Sequence, residues 1–408
     1  MTFLPKRSIA LVALAFAPAL AFATDGYFQH GYGVKAQGLG GAGIAFAQDG
    51  LAAATNPAGT AFVEDRIDGG LTWFAPKRGA EITSPNPTAG TYDGNGKKDF
   101  FLPEFGYVKH LSPETTVGVA AYGNGGMNTT YNSGVPLFNG GTGGKTGINL
   151  EQFFISPSIA WKPNEQNSIG LAANIAYQRF KAEGLQGFGV QNAGTDTSHG
   201  VGLRLGWTGT ITPNLTLGAT WSSKINATKF KKYSGLFADG GGFDIPENYG
   251  LGIAYKLTPT LTVAGDIEEI KYSDVKSVGN PLANFFTSGL GTANGAGFGW
   301  KDITVYKLGV SYEYTKNLTL RGGINHADQP ILASQTLFNV LAPGVVQDHL
   351  SLGLTWKTAN KQELSVAYTH AFKKTIKGSG SIPAAFGGGE ANVHLDENIL
   401  GVSYAWLL

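Results

Sequence analysis

The sequence contains no cysteine among its 408 residues. A disulfide framework, a thiol nucleophile and a cysteine-ligated metal are therefore excluded. Thirty Lys plus Arg stand against 29 Asp plus Glu, so no overall basic field points to a nucleic acid as partner. No apolar run after residue 24 is long enough for a membrane helix, which excludes a bundle of such helices. A β-barrel stays open, because alternating strands average to a hydropathy near zero.

The start of the chain has the pattern of an export signal. Lys6 and Arg7 precede an apolar run of 15 residues that ends in the small-x-small cleavage site AFA at 21–23. That run is shorter than the roughly 20 residues of a membrane-spanning helix, which is the alternative. We therefore predict a signal peptide over residues 1–23 and an exported mature chain.

Alternation with a period of two recurs through the rest of the chain. In residues 303–314, one face collects Tyr306, Leu308, Val310, Tyr312 and Tyr314, and the other collects Lys307, Gly309, Ser311 and Glu313. Residues 349–356 and 399–408 show the same division. The apolar face suits lipid and the polar face suits a wet lumen. A soluble β-sandwich also alternates, but aromatic residues gathered near strand ends favour a membrane barrel.

Tight turns punctuate these strands. Turn-forming residues recur at 111–116, 162–168, 212–216, 258–262, 315–319 and 357–363. Longer Gly-rich or polar stretches lie between them, which matches the short periplasmic and long extracellular connections of outer-membrane barrels.

The turns delimit fourteen predicted strands. These are 66–76, 100–111, 115–127, 150–162, 168–180, 198–211, 214–227, 247–257, 260–271, 300–314, 317–325, 347–357, 362–373 and 394–408. The predicted fold class is all-β, an antiparallel transmembrane β-barrel of about 14 strands over residues 66–408, with twelve or sixteen strands as alternatives. An even count places both ends of the barrel on the periplasmic side.

Residues 24–65 precede the first strand and lack its alternation. They are rich in Gly and Ala, and a short helix-compatible run ends at Asn56 and Pro57, where proline would interrupt a continuing helix. A barrel of this size encloses space that is either plugged or open. We predict that residues 24–65 fold as a hatch with short helices that plugs the lumen. The alternative is a disordered periplasmic tail, although such tails are usually charged and poor in apolar residues.

The stretch from Gly38 to Gly59, GLGGAGIAFAQDGLAAATNPAG, resembles the amino-terminal hatch signature of the FadL family of outer-membrane transporters, TodX-like relatives included. Its Asn-Pro-Ala element is here Asn56, Pro57 and Ala58. The stretches 246–268 and 300–324 and the last strand resemble the same family, although Leu408 stands where a terminal Phe is common in outer-membrane barrels.

The resemblance implies uptake of long-chain fatty acids or other hydrophobic compounds across the outer membrane of a Gram-negative bacterium. Substrate would be captured by extracellular loops, passed to a lumen pocket and released sideways through a gap beside a kinked third strand. In this chain the kink would fall at Gly123, Gly125 and Gly126, where a bulge is easiest. An ordinary loop start at these glycines is the alternative.

Candidate ligand contacts follow from the same expectation. Apolar residues in the predicted loops include Leu137, Phe138, Phe285 and Phe286, with Val135, Leu236, Phe237, Leu282 and Leu290 beside them. A fatty-acid carboxylate would need a cation, and alternation directs Arg204, Lys307 and Arg321 inward, while Lys301 begins a strand at its outer end. Asp266 and Glu268 also point inward. The loop residues could instead pack together, and the charges could pair across the lumen.

Other functions fit the sequence less well than transport. A general porin would need no hatch, and a surface adhesin would not explain one. A hydrolase would need a convergent nucleophile and base, yet the seven histidines are scattered and no metal motif such as H-E-x-x-H occurs. We therefore expect no enzyme activity, no catalytic residues, no metal and no cofactor. Expected partners are fatty acids or aromatic or alkane hydrocarbons, which the sequence does not separate, and outer-membrane lipid and lipopolysaccharide around a monomer.

Overall fold

The computed structural model describes residues 25–360 and 362–408. The predicted signal peptide, residues 1–23, lies outside the described residues. Fifteen antiparallel strands form one sheet. They are β1 Arg66–Ile82, β2 Gly90–Asp93, β3 Phe100–His110, β4 Thr115–Tyr131, β5 Thr146–Trp161, β6 Asn167–Glu183, β7 Asp196–Thr212, β8 Leu215–Ser222, β9 Asn248–Thr258, β10 Leu261–Ile270, β11 Ile303–Thr315, β12 Leu318–Ala327, β13 Asp348–Lys357, β14 Gln362–Ile376 and β15 Ala391–Leu407.

The sheet closes on itself, because β1 pairs with β15 along its whole length. The short strand β2 pairs with β1 alone, so the remaining fourteen strands form the ring. The prediction of an antiparallel barrel of about 14 strands is confirmed. A closed ring leaves no unpaired edge to face lipid, which is the condition for strands to span a membrane.

Some predicted strand ends were wrong. The strand β1 continues six residues past the predicted end at 76, because β15 supplies ladder partners up to Ile82. Likewise β15 begins at Ala391 instead of 394, whereas β8 ends at Ser222 instead of 227. Pro76 cannot donate a ladder hydrogen bond and reads as a strand end, so the extension of β1 was not predicted.

The predicted division of faces is confirmed on the strands that suggested it. In β11 the apolar residues are exposed on the outer surface, at 49% for both Tyr306 and Leu308, whereas Lys307 is 9% exposed. The same holds in β13, where Leu352 is exposed and Ser351 is buried. On these two strands, apolar side chains therefore cover the outside of the ring and the polar residues named here face the inside.

Helices are confined to the connections and to the amino-terminal segment. The α-helical turns are α1 Val34–Gln37, α2 Ala52–Thr55, α3 Pro136–Asn139, α4 Ala238–Gly241, α5 Lys276–Gly279, α6 Asn284–Thr287 and α7 Thr336–Asn339. The 3-10 turns are Pro57–Phe62, Gln186–Phe188, Lys231–Tyr233, Tyr272–Asp274, Ala333–Gln335 and Ala384–Phe386. Among the described residues, no helix is long and apolar enough to cross a membrane.

Residues 25–65, here called the amino-terminal segment, lie against the inner faces of the strands. Within this segment only Phe62 and Glu64 are exposed. The carboxylate of Asp266 on β10 accepts hydrogen bonds from the backbone amides of Gly43 (2.7 Å) and Ile44 (3.0 Å). The segment is therefore bonded to the barrel wall at Gly43 and Ile44.

Inward-facing glycines allow this close packing. A Cβ atom on Gly206 would lie 2.0 Å from Asn56 Oδ1, and one on Gly218 would lie 2.5 Å from the carbonyl oxygen of Ile44. On β12, a Cβ atom at Gly323 would lie 2.3 Å from the carbonyl carbon of Leu39. Close contact between the wall and the amino-terminal segment thus explains part of the high glycine content, which is 60 residues.

Adjacent glycines on β12 provide a test of this packing. Gly323→Val should push the segment away from the wall, at a cost of about 1–3 kcal/mol for overpacking, while the strand ladder survives. We expect faster hydrogen exchange in the amino-terminal segment and higher ion conductance in a planar bilayer. Gly322→Val is the matched control, since its added Cβ would come no closer than 3.8 Å to Leu352 and Ser351. Equal conductance of both variants would contradict the packing role.

Candidate functional site

The Asn-Pro-Ala element joins two short helices of the amino-terminal segment. The α2 helix ends at Thr55, and Asn56 adopts an extended conformation that starts the 3-10 helix over Pro57–Phe62. The side chain of Asn56 accepts a hydrogen bond from the amide of Ala58 (3.1 Å). Proline fits the first position of a helix, because its missing N–H would have no helical partner there. The break therefore ends one helix and caps the next.

Asn56 also attaches the segment to the wall. Its side-chain amide donates to the carbonyl oxygen of Ile44 (2.7 Å) within the segment. The same nitrogen donates to the carbonyl oxygen of Trp207 (3.0 Å) and lies 3.1 Å from the hydroxyl of Thr208, both on β7. The side chain is 1% exposed, so these bonds are sheltered from water.

The three predicted lumen cations face inward, and each has protein partners. Arg204 donates to the carbonyl oxygen of Thr55 (2.9 Å), and Arg321 donates to the side chain of Gln48 (2.7 Å). Lys307 Nζ lies 2.9 Å from a carboxylate oxygen of Glu268. Lys301 lies just before β11 and is exposed. The structure thus brings the three inner cations to the amino-terminal segment and its surroundings, and a carboxylate-binding role for any of the four residues stays a prediction.

Two titratable groups of the amino-terminal segment lie near Lys307. Burial raises the pKa of Asp25 to about 7, although the ammonium of Lys307, 3.7 Å away, opposes the shift. Burial and the nearby Lys307 charge lower the pKa of His30 to about 3, so this imidazole is neutral at physiological pH. The His30 ring stacks on His349 of β13 at a centroid distance of 5.7 Å.

A second charged group anchors α1 of the segment. Lys35 Nζ lies 2.5 Å from a carboxylate oxygen of Glu363 on β14, and Arg66 lies 2.8 Å from the same oxygen. Burial lowers the pKa of Lys35 to about 8, with Arg66 adding to the shift and Glu363 opposing it. All three side chains are buried, so the charges serve to hold the segment.

The strand β4 departs from its neighbour at the predicted kink. The ladder between β3 and β4 ends where Phe105 pairs with Ala121. Beyond Ala121, toward its carboxyl end, β4 continues to pair with β5, with a register shift between Gly123 and Gly125. These glycines therefore form a bulge inside the strand, and the alternative of an ordinary loop start was wrong. Residues 100–104 of β3 and 122–127 of β4 bound a gap in the wall, here called the β3–β4 gap.

The amino-terminal segment covers the β3–β4 gap from the inside. Phe28 forms an isolated antiparallel bridge with Gly125. The amide of Gln29 donates to the carbonyl oxygen of Asn124 (3.1 Å), and the amide of Gly126 donates to the carbonyl oxygen of Tyr27 (2.9 Å). Backbone groups of β4 that β3 does not pair are thus satisfied by the segment.

The outer margin of the β3–β4 gap is also held by hydrogen bonds. The amide of Gly96 donates to the carbonyl oxygen of Thr130 on β4 (2.8 Å). The amide of Thr130 donates in turn to the carbonyl oxygen of Gly94 (3.0 Å). Arg78 of β1 donates from Nε to the carbonyl oxygen of Asn128 on β4 (2.7 Å). The gap is therefore a bounded opening, because β1 and β4 are tied together beyond the end of β3.

The extracellular connections enclose a small apolar cavity of about 50 Å³, here called the loop pocket. Its aromatic lining consists of Phe138, Phe180, Phe188, Phe237, Phe298 and Phe338, and its aliphatic lining includes Ile148, Leu185, Val190, Leu236, Leu290 and Leu341. The one hydroxyl on its wall, that of Ser277, donates to the carbonyl oxygen of Gly242 (2.5 Å) and accepts from the amide of Ala238 (2.9 Å). No charged side chain lines the pocket, all of whose lining residues are described.

The predicted apolar loop residues have different positions around this pocket. Phe138 is completely buried and lines it, whereas Leu137 packs against the apolar core behind it. Phe285 contacts the ring of Phe188 at a centroid distance of 5.8 Å without lining the pocket, and Phe286 is 51% exposed. Phe138 is buried because the loops pack on each other. Ligand contact by these four residues stays a prediction.

Sequence reasoning missed Phe188 and Phe338, which lie at the centre of the aromatic cluster. The ring of Phe188 contacts Phe138 at 5.2 Å, Phe338 at 5.3 Å and Phe386 at 5.1 Å between centroids. These residues come from four different connections. A phenylalanine between two glycines, as Phe188 is, was the available signal, since a large apolar side chain in a flexible turn needs a partner to pack against.

The geometry defines a class of protein. It is a closed antiparallel barrel with an apolar exterior, a lumen that contains the amino-terminal segment, and a gap in its wall. The sequence of residues 11–406 matches the model of the family described as outer membrane protein transport protein (OMPP1/FadL/TodX), and the chain belongs to this family. It is accordingly an outer-membrane barrel of the Gram-negative type that transports hydrophobic compounds. No curated protein sequence matches the chain.

Solved structures share the fold at low sequence identity. The toluene transporter TodX of P. putida is 17% identical, with 93% of this chain and 99% of that chain covered and a TM-score of 0.69. A FadL homologue of Pseudomonas aeruginosa is 16% identical, with 94% and 99% covered and a TM-score of 0.72. The toluene transporter TbuX of Ralstonia pickettii is 17% identical, with 93% and 99% covered and a TM-score of 0.65.

The contacts of Asn56 lead to a specific expectation. Asn56→Ala should leave the carbonyl oxygens of Ile44 and Trp207 without this donor and should weaken docking of the segment by roughly 1–3 kcal/mol. The barrel should stay heat-modifiable, because its ladder does not depend on the segment. Hydrogen exchange at residues 44–58 measures the effect, and Asn164→Ala in an exposed turn is the control. Unchanged exchange in the Asn56 variant would contradict an anchoring role.

Proposed function

We propose that this protein takes up small uncharged hydrophobic compounds, which are captured in the loop pocket and leave sideways through the β3–β4 gap. The observation that carries the proposal is the loop pocket itself, whose wall consists of aromatic and aliphatic side chains. The enclosed space is about 50 Å³, smaller than the cavity of about 150 Å³ that binds benzene, so side chains of the connections have to move to admit an aromatic ring. Burial of apolar surface favours binding by roughly 25 cal/mol per Å².

The lining of the loop pocket favours a neutral ligand over a fatty acid. A carboxylate taken out of water needs a cation or several hydrogen-bond donors, and the pocket wall offers neither. The inner cations Arg204, Lys307 and Arg321 are bonded to the amino-terminal segment or to neighbouring strands. Aromatic hydrocarbons are therefore the proposed substrates, and long-chain fatty acids are the alternative.

The proposed exit follows from the position of the β3–β4 gap. A hydrophobic compound that left through a water-filled channel would keep its apolar surface in water, whereas a gap in the wall leads to the lipid. Gly123, Gly125 and Gly126 form the inner edge of this exit, and Tyr27–Gln29 cover it. Movement of this short stretch is the step that we propose opens the path.

The domain assignment is part of the proposal. Residues 1–23 are the proposed signal peptide, residues 24–65 the hatch that plugs the lumen, and residues 66–408 the barrel. The burial of the amino-terminal segment and its bonds to Asp266, Glu363 and β7 support the hatch. We further propose that the protein acts as a monomer surrounded by outer-membrane lipid and lipopolysaccharide, and that it transports without catalysis or a cofactor.

An adjacent pair of residues tests capture in the loop pocket. Val190→Asp should place a carboxylate in the apolar lining and weaken toluene binding about tenfold, because that charge loses water when the ligand binds. Gln191→Asp adds the same charge at an exposed position and should leave binding unchanged. Isothermal titration of the purified, folded variants with toluene and with a long-chain fatty acid gives the comparison. Tighter binding of the fatty acid by the unaltered protein would favour the alternative substrate.

A second pair of variants tests the exit. Gly123→Phe should fill the β3–β4 gap and slow toluene uptake into cells several-fold while leaving equilibrium binding in the loop pocket intact. Ala121→Phe is the control, since Ala121 lies on the same strand just where the pairing with β3 ends. Unaltered uptake by a correctly assembled Gly123→Phe protein would argue for passage straight to the periplasm.

A further inference from the structure

The stretch that covers the β3–β4 gap reaches across the lumen between two distant strands. At one end, a carboxylate oxygen of Asp25 lies 3.7 Å from Nζ of Lys307 on β11. At the other end, Phe28 forms its bridge with Gly125 of β4. The strands β4 and β11 are seven positions apart in either direction around the ring of fourteen, so they lie on opposite sides of it. Residues 25–29, here called the gap cover, are therefore held from both sides of the barrel.

Tyr272 holds the gap cover through its hydroxyl group. This residue begins the 3-10 turn that follows β10, and its side chain is completely buried. The hydroxyl donates to the carbonyl oxygen of Asp25 (2.5 Å) and accepts from the amides of Tyr27 (3.1 Å) and Phe28 (3.3 Å). A phenol can act as donor and acceptor at once. A single side-chain oxygen thus makes three hydrogen bonds to the backbone of the gap cover.

The backbone of the gap cover depends on this hydroxyl. Among the described residues, the amide of Tyr27 has the hydroxyl of Tyr272 as its one acceptor. A buried amide that loses its acceptor destabilises the arrangement that buries it. The ring of Tyr272 also lies directly on this backbone, since a Cβ atom added to Gly26 would come within 2.5 Å of it. Gly26 has a φ of 69°, a conformation that glycine adopts without strain.

A series of aromatic rings connects the loop pocket with the gap cover. Phe237 lines the pocket and contacts Phe243 at a centroid distance of 4.9 Å. Phe243 contacts Tyr27 at 6.2 Å, and Tyr27 contacts Tyr272 at 4.9 Å. The ring of Trp300 packs on the other side of this group, 5.2 Å from Tyr272. The apolar contacts between the loop pocket and the β3–β4 gap therefore include the residue that Tyr272 holds.

We propose that Tyr272 is a positioning residue for transport, whose hydroxyl group keeps the gap cover closed and so sets the rate at which a compound leaves through the β3–β4 gap. The inference rests on the proposed function and adds to it the group that restrains the moving stretch. The three bonds to the hydroxyl exist in the covered state, so their loss shifts the population toward the uncovered one. Tyr272 does not line the loop pocket, and its hydroxyl therefore has no part in binding there.

Removal of the hydroxyl group alone tests this role. Tyr272→Phe keeps the ring, and we expect initial toluene uptake into cells to rise several-fold while the dissociation constant from isothermal titration stays unchanged. Hydrogen exchange at residues 25–29 should become about tenfold faster, because the amides of Tyr27 and Phe28 lose an acceptor. A tyrosine that only stabilised the fold would change uptake in the opposite direction, since a weakened barrel transports more slowly. Unchanged or slower uptake would overturn the inference.

Tyr233→Phe is the matched control. Tyr233 is also buried in an extracellular connection, and its hydroxyl accepts from the amide of Ala182 (2.9 Å) and donates to the carbonyl oxygen of Gly194 (2.6 Å). Neither partner belongs to the gap cover. Uptake and the exchange of residues 25–29 should therefore match the unaltered protein. An equal rise in both variants would show general loosening of the connections and would overturn the inference.

A double variant separates this inference from the proposed function. Gly123→Phe combined with Tyr272→Phe should be as slow as Gly123→Phe alone, because a filled gap stays closed whatever the gap cover does. If Gly123→Phe slows uptake and Tyr272→Phe does not speed it, the exit stands and the role of Tyr272 is refuted. If Gly123→Phe leaves uptake unaltered, the exit fails and the role of Tyr272 fails with it. A Tyr272→Phe protein that does not assemble would also refute the role, since the hydroxyl would then belong to the fold.

Discussion

The pairing of every backbone amide and carbonyl is the constraint on which this structure depends, since lipid offers no hydrogen bonds. Thirteen neighbouring pairs in the ring and its closure by β1 and β15 meet this requirement along most of the wall. The exception is the part of β4 that follows Ala121, which does not pair with β3. There the backbone of Tyr27–Gln29 takes the place of a neighbouring strand. The opening in the wall and the segment in the lumen are therefore two parts of one arrangement.

Polar and apolar side chains of the interior have different roles. Charged side chains hold the amino-terminal segment, as Glu363 does by contacting Lys35 and Arg66 and as Asp266 does by accepting from two backbone amides. The aromatic side chains gather in the extracellular connections instead. The loop pocket therefore presents an uncharged surface, and the buried charges stay with their protein partners.

Most strands of the wall could be predicted from the sequence, because a strand produces a local pattern. In that pattern apolar and polar residues alternate with a period of two. The outward position of Leu308 and the inward position of Lys307 follow from that period alone. The strand β2 escaped prediction because four residues are too few to show a period. The partners of Lys307 depend on register and on a segment distant in sequence, and the meeting of Phe188 with Phe338 depends on how separate loops fold together. Neither set of contacts can be predicted from a local sequence pattern.

The bonds that cover the β3–β4 gap also set the free-energy cost of uncovering it. Any movement of Tyr27–Gln29 away from β4 breaks the bond from the amide of Gln29 to Asn124 and the bond from the amide of Gly126 to Tyr27. Each buried backbone group that loses its partner in this way costs roughly 1–3 kcal/mol. The covered gap is therefore the resting state, and the free energy of uncovering it limits how often the wall is open to lipid.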